Sequence, residues 1–195
     1  MEAMRGSLVN HDKKLVWIFL PKCAGSSTWQ YLMDLGGWEK AKTKRIDTEV
    51  VVPKKYTVFC IGRDPKEWLI SGYRMFKERH NLPWDFSKNL ELINLPYFLL
   101  TRQDYDYHDW YWHNGITPDQ HIIQYPKIRK FKLEQKHLMQ EWLATYFPGT
   151  DNNYYPWENK TQRDEKISWT AADLRNANAK MYRYCHLFGY PPIVG

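Results

Sequence analysis

Residues 14–28 read KLVWIFLPKCAGSST, and this stretch decides the fold. Its first seven residues form a short apolar run with β-branched and aromatic side chains, which predicts a buried strand stopped by Pro21. A turn of small residues follows. Over residues 28–35, Trp29, Leu32, Met33 and Leu35 give a helix one apolar side, and Gly36-Gly37 ends it, as glycine commonly does after helices. Strand, small-residue loop and helix together open an α/β fold. The same unit recurs downstream. Residues 57–61 (TVFCI) predict a second buried strand, and Gly62-Arg63-Asp64-Pro65 follows it. Asp64 suits the cap of a helix and Pro65 its first position. Trp68, Leu69, Tyr73 and Phe76 then recur at helical spacing through about Lys77. A doubled unit of this kind implies a central parallel sheet with helices on its faces.

The remainder is read outward from those two units. Residues 40–45 form a basic, irregular stretch, and residues 49–52 a short strand ended by Pro53. Residues 90–100 predict a helix around Pro96, and residues 105–113 (YDYHDWYWH) form a cluster of aromatics and histidines. Thr117-Pro118-Asp119 starts a short helix through about Tyr125. Residues 128–133 (IRKFKL) alternate apolar and basic, the pattern of a half-exposed strand. Residues 135–147 predict a helix with Leu138, Trp142 and Tyr146 on one face, and residues 148–163 a polar loop. Thr170 with Asp173 resembles a capping box for a last helix that ends near Phe188. No linker divides the 195 residues, so one domain over 1–195 is expected.

Composition narrows the function classes. The chain has 10 Trp, 14 Tyr and 8 Phe, a wealth of aromatics that excludes bulk disorder. With only 10 Gly and 11 Pro it is neither collagen-like nor of low complexity. The longest strongly apolar run, residues 15–20, falls far short of the roughly 20 residues a membrane span needs. The first fourteen residues carry no apolar signal-peptide core, so a soluble cytoplasmic protein without membrane association is expected. Cys23, Cys60 and Cys185 are odd in number and far apart, which gives neither a disulfide framework nor a metal motif. The formal net charge of +6 points to an anionic partner of unspecified kind.

Two loops carry the chemistry. After the first strand, Pro21, Lys22, Cys23, Ala24, Gly25, Ser26, Ser27 and Thr28 lead into a helix N-terminus, where backbone N–H groups and the helix dipole favour an anion. Lys22 adds a full charge and the three hydroxyls add donors, although the spacing of a Walker A loop is absent. After the second strand, Arg63 stands where ligands bind in open α/β sheets and offers a forked contact to phosphate, with Ser71 eight positions on. Taken singly, the first loop is equally well an ordinary βα turn, and Arg63 a surface residue beside Asp64.

Taken together, the PKCAGSS loop and the Arg63-Asp64-Pro65 motif with Ser71 and Tyr73 resemble the cofactor signature of carbohydrate-type sulfotransferases dependent on 3′-phosphoadenosine 5′-phosphosulfate (PAPS). Asn159-Lys160-Thr161 with Arg163 resembles that family's segment closing over the cofactor. Phe131-Lys132-Leu133-Glu134 and the closing Phe188-Gly189-Tyr190 are weaker echoes. The resemblance implies a P-loop-like sulfotransferase fold. It implies that residues 21–28 hold the 5′-phosphosulfate, that Arg63 and Ser71 hold the 3′-phosphate, and that Asn159, Lys160, Thr161 and Arg163 complete the site. The expected reaction moves a sulfuryl group from PAPS to a hydroxyl or amine of a carbohydrate or small molecule. It leaves PAP, the 3′,5′-bisphosphate, as product. Lys22 would stabilise the leaving phosphate, and no metal is required.

An acceptor hydroxyl needs a base. His113 is the expected one, from its place in the aromatic cluster. Tyr105, Tyr107, His108, Trp110 and Trp112 are expected to bind the acceptor, because aromatic faces suit sugars and flat apolar groups. Two alternatives stay open. A P-loop-type small-molecule kinase shares the strand-loop-helix opening. A non-catalytic binder of single-stranded nucleic acid would use the same basic charge and aromatics, although no nucleic-acid partner is expected.

Overall fold

In the computed structural model the described residues are 6–42, 50–80, 85–92, 122, 125–150, 154–156 and 167–195. The chain divides into two compact units, one of residues 1–63 and 121–160, the other of residues 64–120 and 161–195.

Among the described residues of the first unit, five strands form one sheet: β1 (Leu8–Asn10), β2 (Leu15–Ile18), β3 (Glu39–Lys40), β4 (Thr57–Gly62) and β5 (Arg129–Lys132). Their order is β3-β1-β2-β4-β5. The expected parallel arrangement holds for β2, β4 and β5: Val16 lies opposite Val58, Trp17 opposite Phe59, and Ile61 opposite Phe131. β2 is buried at every position, as befits a parallel strand covered on both faces. β1 and β3 add an antiparallel edge, with Leu8 opposite both Trp17 and Lys40. The β1–β2 turn is closed by the Lys13 amide donating to Asn10 Oδ1 at 2.9 Å, a local bond typical of asparagine in turns. Of the short strand expected at 49–52, Val50 forms an isolated bridge, while Val51 and Val52 are not in a strand.

Helix α1 (Gly25–Leu35) follows β2 and precedes the edge strand β3. After β5, a 3-10 turn (Leu133–Gln135) leads into the helix Lys136–Ala144. The core between them is largely aromatic: Trp17 and Phe59 are fully buried, and Trp38, Phe131, Phe147 and Tyr155 join the same cluster. Phe59 meets Trp142 edge-on at 5.0 Å between ring centroids, and Trp38 stacks on Phe147 at 6.3 Å. Such geometries are favoured by the ring quadrupole. Much of the aromatic excess is therefore core.

The second unit is helical where it is described. Helix α2 (Pro65–His80) follows Arg63 and α3 is Phe86–Leu92. With the helix Lys136–Ala144 of the first unit as α4, the last helix is α5 (Ala171–Phe188). Phe86 bridges the ring of Tyr73 on α2, at 5.5 Å, and that of Trp169, at 4.7 Å. α5 ends at Gly189 in left-handed backbone (φ 65), with the Tyr190 amide donating back to the Cys185 carbonyl at 2.9 Å. A glycine suits that conformation because it has no Cβ to clash. The C-terminal tail is clamped to α5 by Asn178, which donates to the Ile193 carbonyl and accepts from its amide. Of the helix expected at 90–100, only the start is described, as the end of α3. Of the one expected through Tyr125, Ile122 is helical and Tyr125 is not.

Candidate anion-binding site

Because β2, β4 and β5 are parallel, their carboxyl ends share one edge of the sheet. Ligands of open α/β sheets bind at that edge. The segment after β2, Arg63 after β4, and the 3-10 turn after β5 all leave from it.

The segment after β2 departs from the ladder early. The Phe19 amide donates to Ser7 Oγ at 2.9 Å, so β2 ends at Ile18. Cys23 N–H then turns back to the Leu20 carbonyl at 3.3 Å. Lys22 (φ 61) and Ala24 (φ 56) both sit in left-handed backbone. For a residue with a Cβ this costs about 1–2 kcal/mol, so the loop holds strained geometry in place. Ala24 is the N-cap of α1 and supplies no side-chain cap, and no acidic residue lies in the first turn. The first amides of a helix have no intrahelical partner, and the dipole adds partial positive charge to them. This end of α1 is thus shaped to receive anionic oxygens. Gly25 has a steric reason as well: a Cβ there would run into the Phe19 ring.

The sequence-predicted residues fall as follows. Pro21, Lys22, Ala24 and Ser26 are half-buried, whereas Cys23, Gly25, Ser27 and Thr28 are buried. Arg63 is half-buried, and its Nη1 donates to the Lys22 carbonyl at 3.5 Å. The two loops read separately from the sequence are therefore brought together at one sheet edge. The Cys23 thiol is buried near Cys60, whose own thiol is pushed well up, first by burial and then by Cys23, with Lys130 opposing. All three cysteines are free thiols. The Thr28 hydroxyl turns inward: it donates to the Ala24 carbonyl at 3.0 Å and meets the Tyr155 hydroxyl at 2.6 Å. Ser71 is buried on α2, in the second unit. Asn159, Lys160, Thr161, Arg163 and His113 lie outside the described residues, as do Tyr105, Tyr107, His108, Trp110 and Trp112.

Tyr155 is the residue that sequence reasoning missed. It stands 127 positions from Thr28, and no local pattern links the two. Its phenol is pushed well above the ordinary tyrosine range by burial, with the Thr28 bond opposing, so it stays protonated. Among the described residues, no group of three or more His, Cys, Asp or Glu is placed to hold a metal, and no helix is long and apolar enough to cross a membrane.

The residues present fit a phosphate-bearing ligand: a helix start with no side-chain cap at Ala24, a lysine within the loop, and an arginine just after the neighbouring strand. Comparison with known proteins supplies a family. Residues 5–140 match a family model described as sulfotransferase family. No curated protein matches the sequence significantly. Among solved structures, a sulfotransferase from Alicyclobacillus acidocaldarius is similar at 13% identity and a TM-score of 0.44, covering 86% of this chain. The chain spans 60% of that protein's length. The family match takes in the five strands, the loop after β2 and Arg63, and the chain belongs to the sulfotransferase family.

Proposed function

We propose that this chain transfers a sulfuryl group from PAPS to a hydroxyl or amine of a small-molecule or carbohydrate acceptor, with residues 1–195 serving as one sulfotransferase domain. One observation carries the proposal: the start of α1, with left-handed Lys22 and Ala24 and no side-chain cap at Ala24, lies beside Arg63 at the end of the adjacent parallel strand. When bound, the donor supplies an activated sulfuryl group on a phosphate that can leave. Lys22 and the amides of Gly25 and Ser26 neutralise charge that grows on phosphate oxygens during transfer, and preorganised donors of this kind supply large rate effects. Arg63 offers a planar fork suited to a second phosphate, the 3′-phosphate. For Ser71, Asn159, Lys160, Thr161 and Arg163 the assignment rests on the sequence motifs alone. So do His113 as base and Tyr105, Tyr107, His108, Trp110 and Trp112 as acceptor platform. Family membership favours sulfuryl transfer over the kinase and nucleic-acid alternatives.

The test has two parts. Saturating PAP without Mg²⁺ is expected to raise Tm, since a ligand at 100 times its Kd stabilises by about 2.7 kcal/mol. Labelled sulfate should move from PAPS to an acceptor in a screen, and Lys22→Ala should cut that turnover roughly 100-fold to 1,000-fold. Near-normal turnover of Lys22→Ala overturns the assignment. ATP turnover, or salt-steep oligonucleotide binding that PAP does not compete, replaces it with one of the alternatives.

A further inference from the structure

Ala24 is held in left-handed backbone at the mouth of the anion loop, and it has a side chain. Two bonds converge on its carbonyl, from the Thr28 amide at 2.9 Å and from the Thr28 hydroxyl at 3.0 Å. That hydroxyl has a single proton. The Ala24 carbonyl can only accept, so the Thr28 proton goes there, and the 2.6 Å contact with Tyr155 has the phenol as donor. The result is a directed relay from the Tyr155 O–H to Thr28 Oγ1 and from Thr28 to the Ala24 carbonyl. Thr28 is fully buried and Tyr155 nearly so, where a hydrogen bond left unmade is costly.

The far end of the relay is itself fixed. The Tyr155 ring packs against Tyr31 of α1 at 5.5 Å and lies under the Lys136 ammonium of α4 at 4.6 Å. Gln140, buried on α4, donates to the carbonyl of the preceding residue, Tyr154, at 3.5 Å. Tyr155 is thus anchored by α4, in the half of the unit that follows β5, while its hydroxyl reaches the loop that follows β2. Burial pushes the phenol up, in keeping with its place as the donor of that bond.

We propose that Tyr155 is a positioning residue for the anion loop: through Thr28 it holds Ala24, and with it the amides of Gly25 and Ser26, in the conformation that receives a phosphate. The proposal rests on the anion-loop function set out above, and it adds a residue that touches no ligand.

The experiment compares Tyr155→Phe, Thr28→Val, Thr28→Ser and the double variant Tyr155→Phe/Thr28→Val in the full chain. Two readouts are used: hydrogen exchange of the 24–28 amides in the ligand-free protein, and the Kd for PAP by calorimetry well below Tm. Tyr155→Phe is expected to speed exchange at the Thr28 amide and to weaken PAP binding about 5-fold to 10-fold, the scale of one hydrogen bond. Thr28→Ser, which keeps the relay hydroxyl, should restore the amide exchange that Thr28→Val loses, and the double variant should be no worse than Thr28→Val, since both changes break one relay. Unchanged loop exchange in Tyr155→Phe overturns the proposal, as does an additive double variant. A lower Tm with unchanged exchange and Kd makes Tyr155 a packing residue only and overturns it as well. Should the parent protein fail to bind PAP, the proposed function falls, while the exchange data still decide whether Tyr155 holds the loop.

Discussion

Helices α1 and α5 begin in opposite ways. α5 opens with a complete capping box: Thr170 Oγ1 accepts from the Asp173 amide at 3.1 Å, and Asp173 accepts from the Thr170 amide at 2.9 Å. α2 and α3 are capped more simply, with Asp64 accepting from the Glu67 amide and Asp85 from the Lys88 amide, each at 3.0 Å. α1 opens on Ala24, which caps nothing. A helix start that satisfies its own amides is finished when the chain folds. One that holds strained backbone and has no side-chain cap at its N-cap is the kind of start that the proposed function assigns to a ligand. On the proposed function, the difference is that between a structural terminus and a binding one, using the same backbone groups.

Giving α1 what α5 already has is the strongest way to break that contrast. Ala24→Asp places a carboxylate where phosphate oxygens are proposed to sit, and like charges in contact cost several kcal/mol. PAP affinity should therefore fall by roughly 100-fold or more, measured by calorimetry, while the circular dichroism spectrum stays native. Retained affinity would mean that the start of α1 is not the anion site. Arg63→Ala should act less strongly, because it removes one charged partner and leaves the helix amides: the KM for PAPS should rise about 10-fold to 100-fold with kcat changed less. A fall in kcat alone would move Arg63 from binding to chemistry.

Thr170→Ala probes the other side of the contrast. Loss of the cap should cost about 1 kcal/mol of stability, read by urea unfolding, with PAP affinity unchanged. Altered affinity would erase the distinction between the two kinds of terminus. The smallest effect concerns pH. Burial pushes the Asp173 carboxyl up, but the bonds from the Thr170 amide and hydroxyl and from Ser87 outweigh it, and the group titrates below its usual range. A lowered folded-state value means that the stabilisation is complete above the ordinary aspartate range, at about pH 4, and is lost as pH falls through the folded value. Parent and Thr170→Ala stabilities should therefore converge in acid. A constant gap down to the lowest pH would show that the Asp173 carboxylate adds nothing.

Much of the architecture was legible because it is local. The apolar runs of β2 and β4, the Asp64-Pro65 start of α2 and the Thr170–Asp173 box each carry their cause within a few residues. The misses have equally definite reasons. β1 and β3, of three and two residues, are too short to hold a pattern and exist because β1 pairs with β2 and β3 with β1. The first strand was expected through Leu20, but Phe19 bonds to Ser7 and leaves the ladder. α1 begins three residues before its expected start, because glycine and two serines let the helix reach back under the Phe19 ring. The helix expected over 135–147 is shorter at both ends. A 3-10 turn precedes it, and Thr145 Oγ1 closes it on the Trp142 carbonyl at 2.7 Å.

The sequence by itself determined the α/β class, the two loops that follow the parallel strands, and the residue types suited to an anion, since these depend on propensity, charge and spacing along the chain. Only the tertiary structure decided that Arg63 reaches the Lys22 carbonyl across 41 positions and that Tyr155 reaches Thr28 across 127. Those contacts arise from parallel strand pairing and from the packing of α1 and α4 about one core. Pairing and packing join residues by proximity in space, and no spacing in the sequence encodes it.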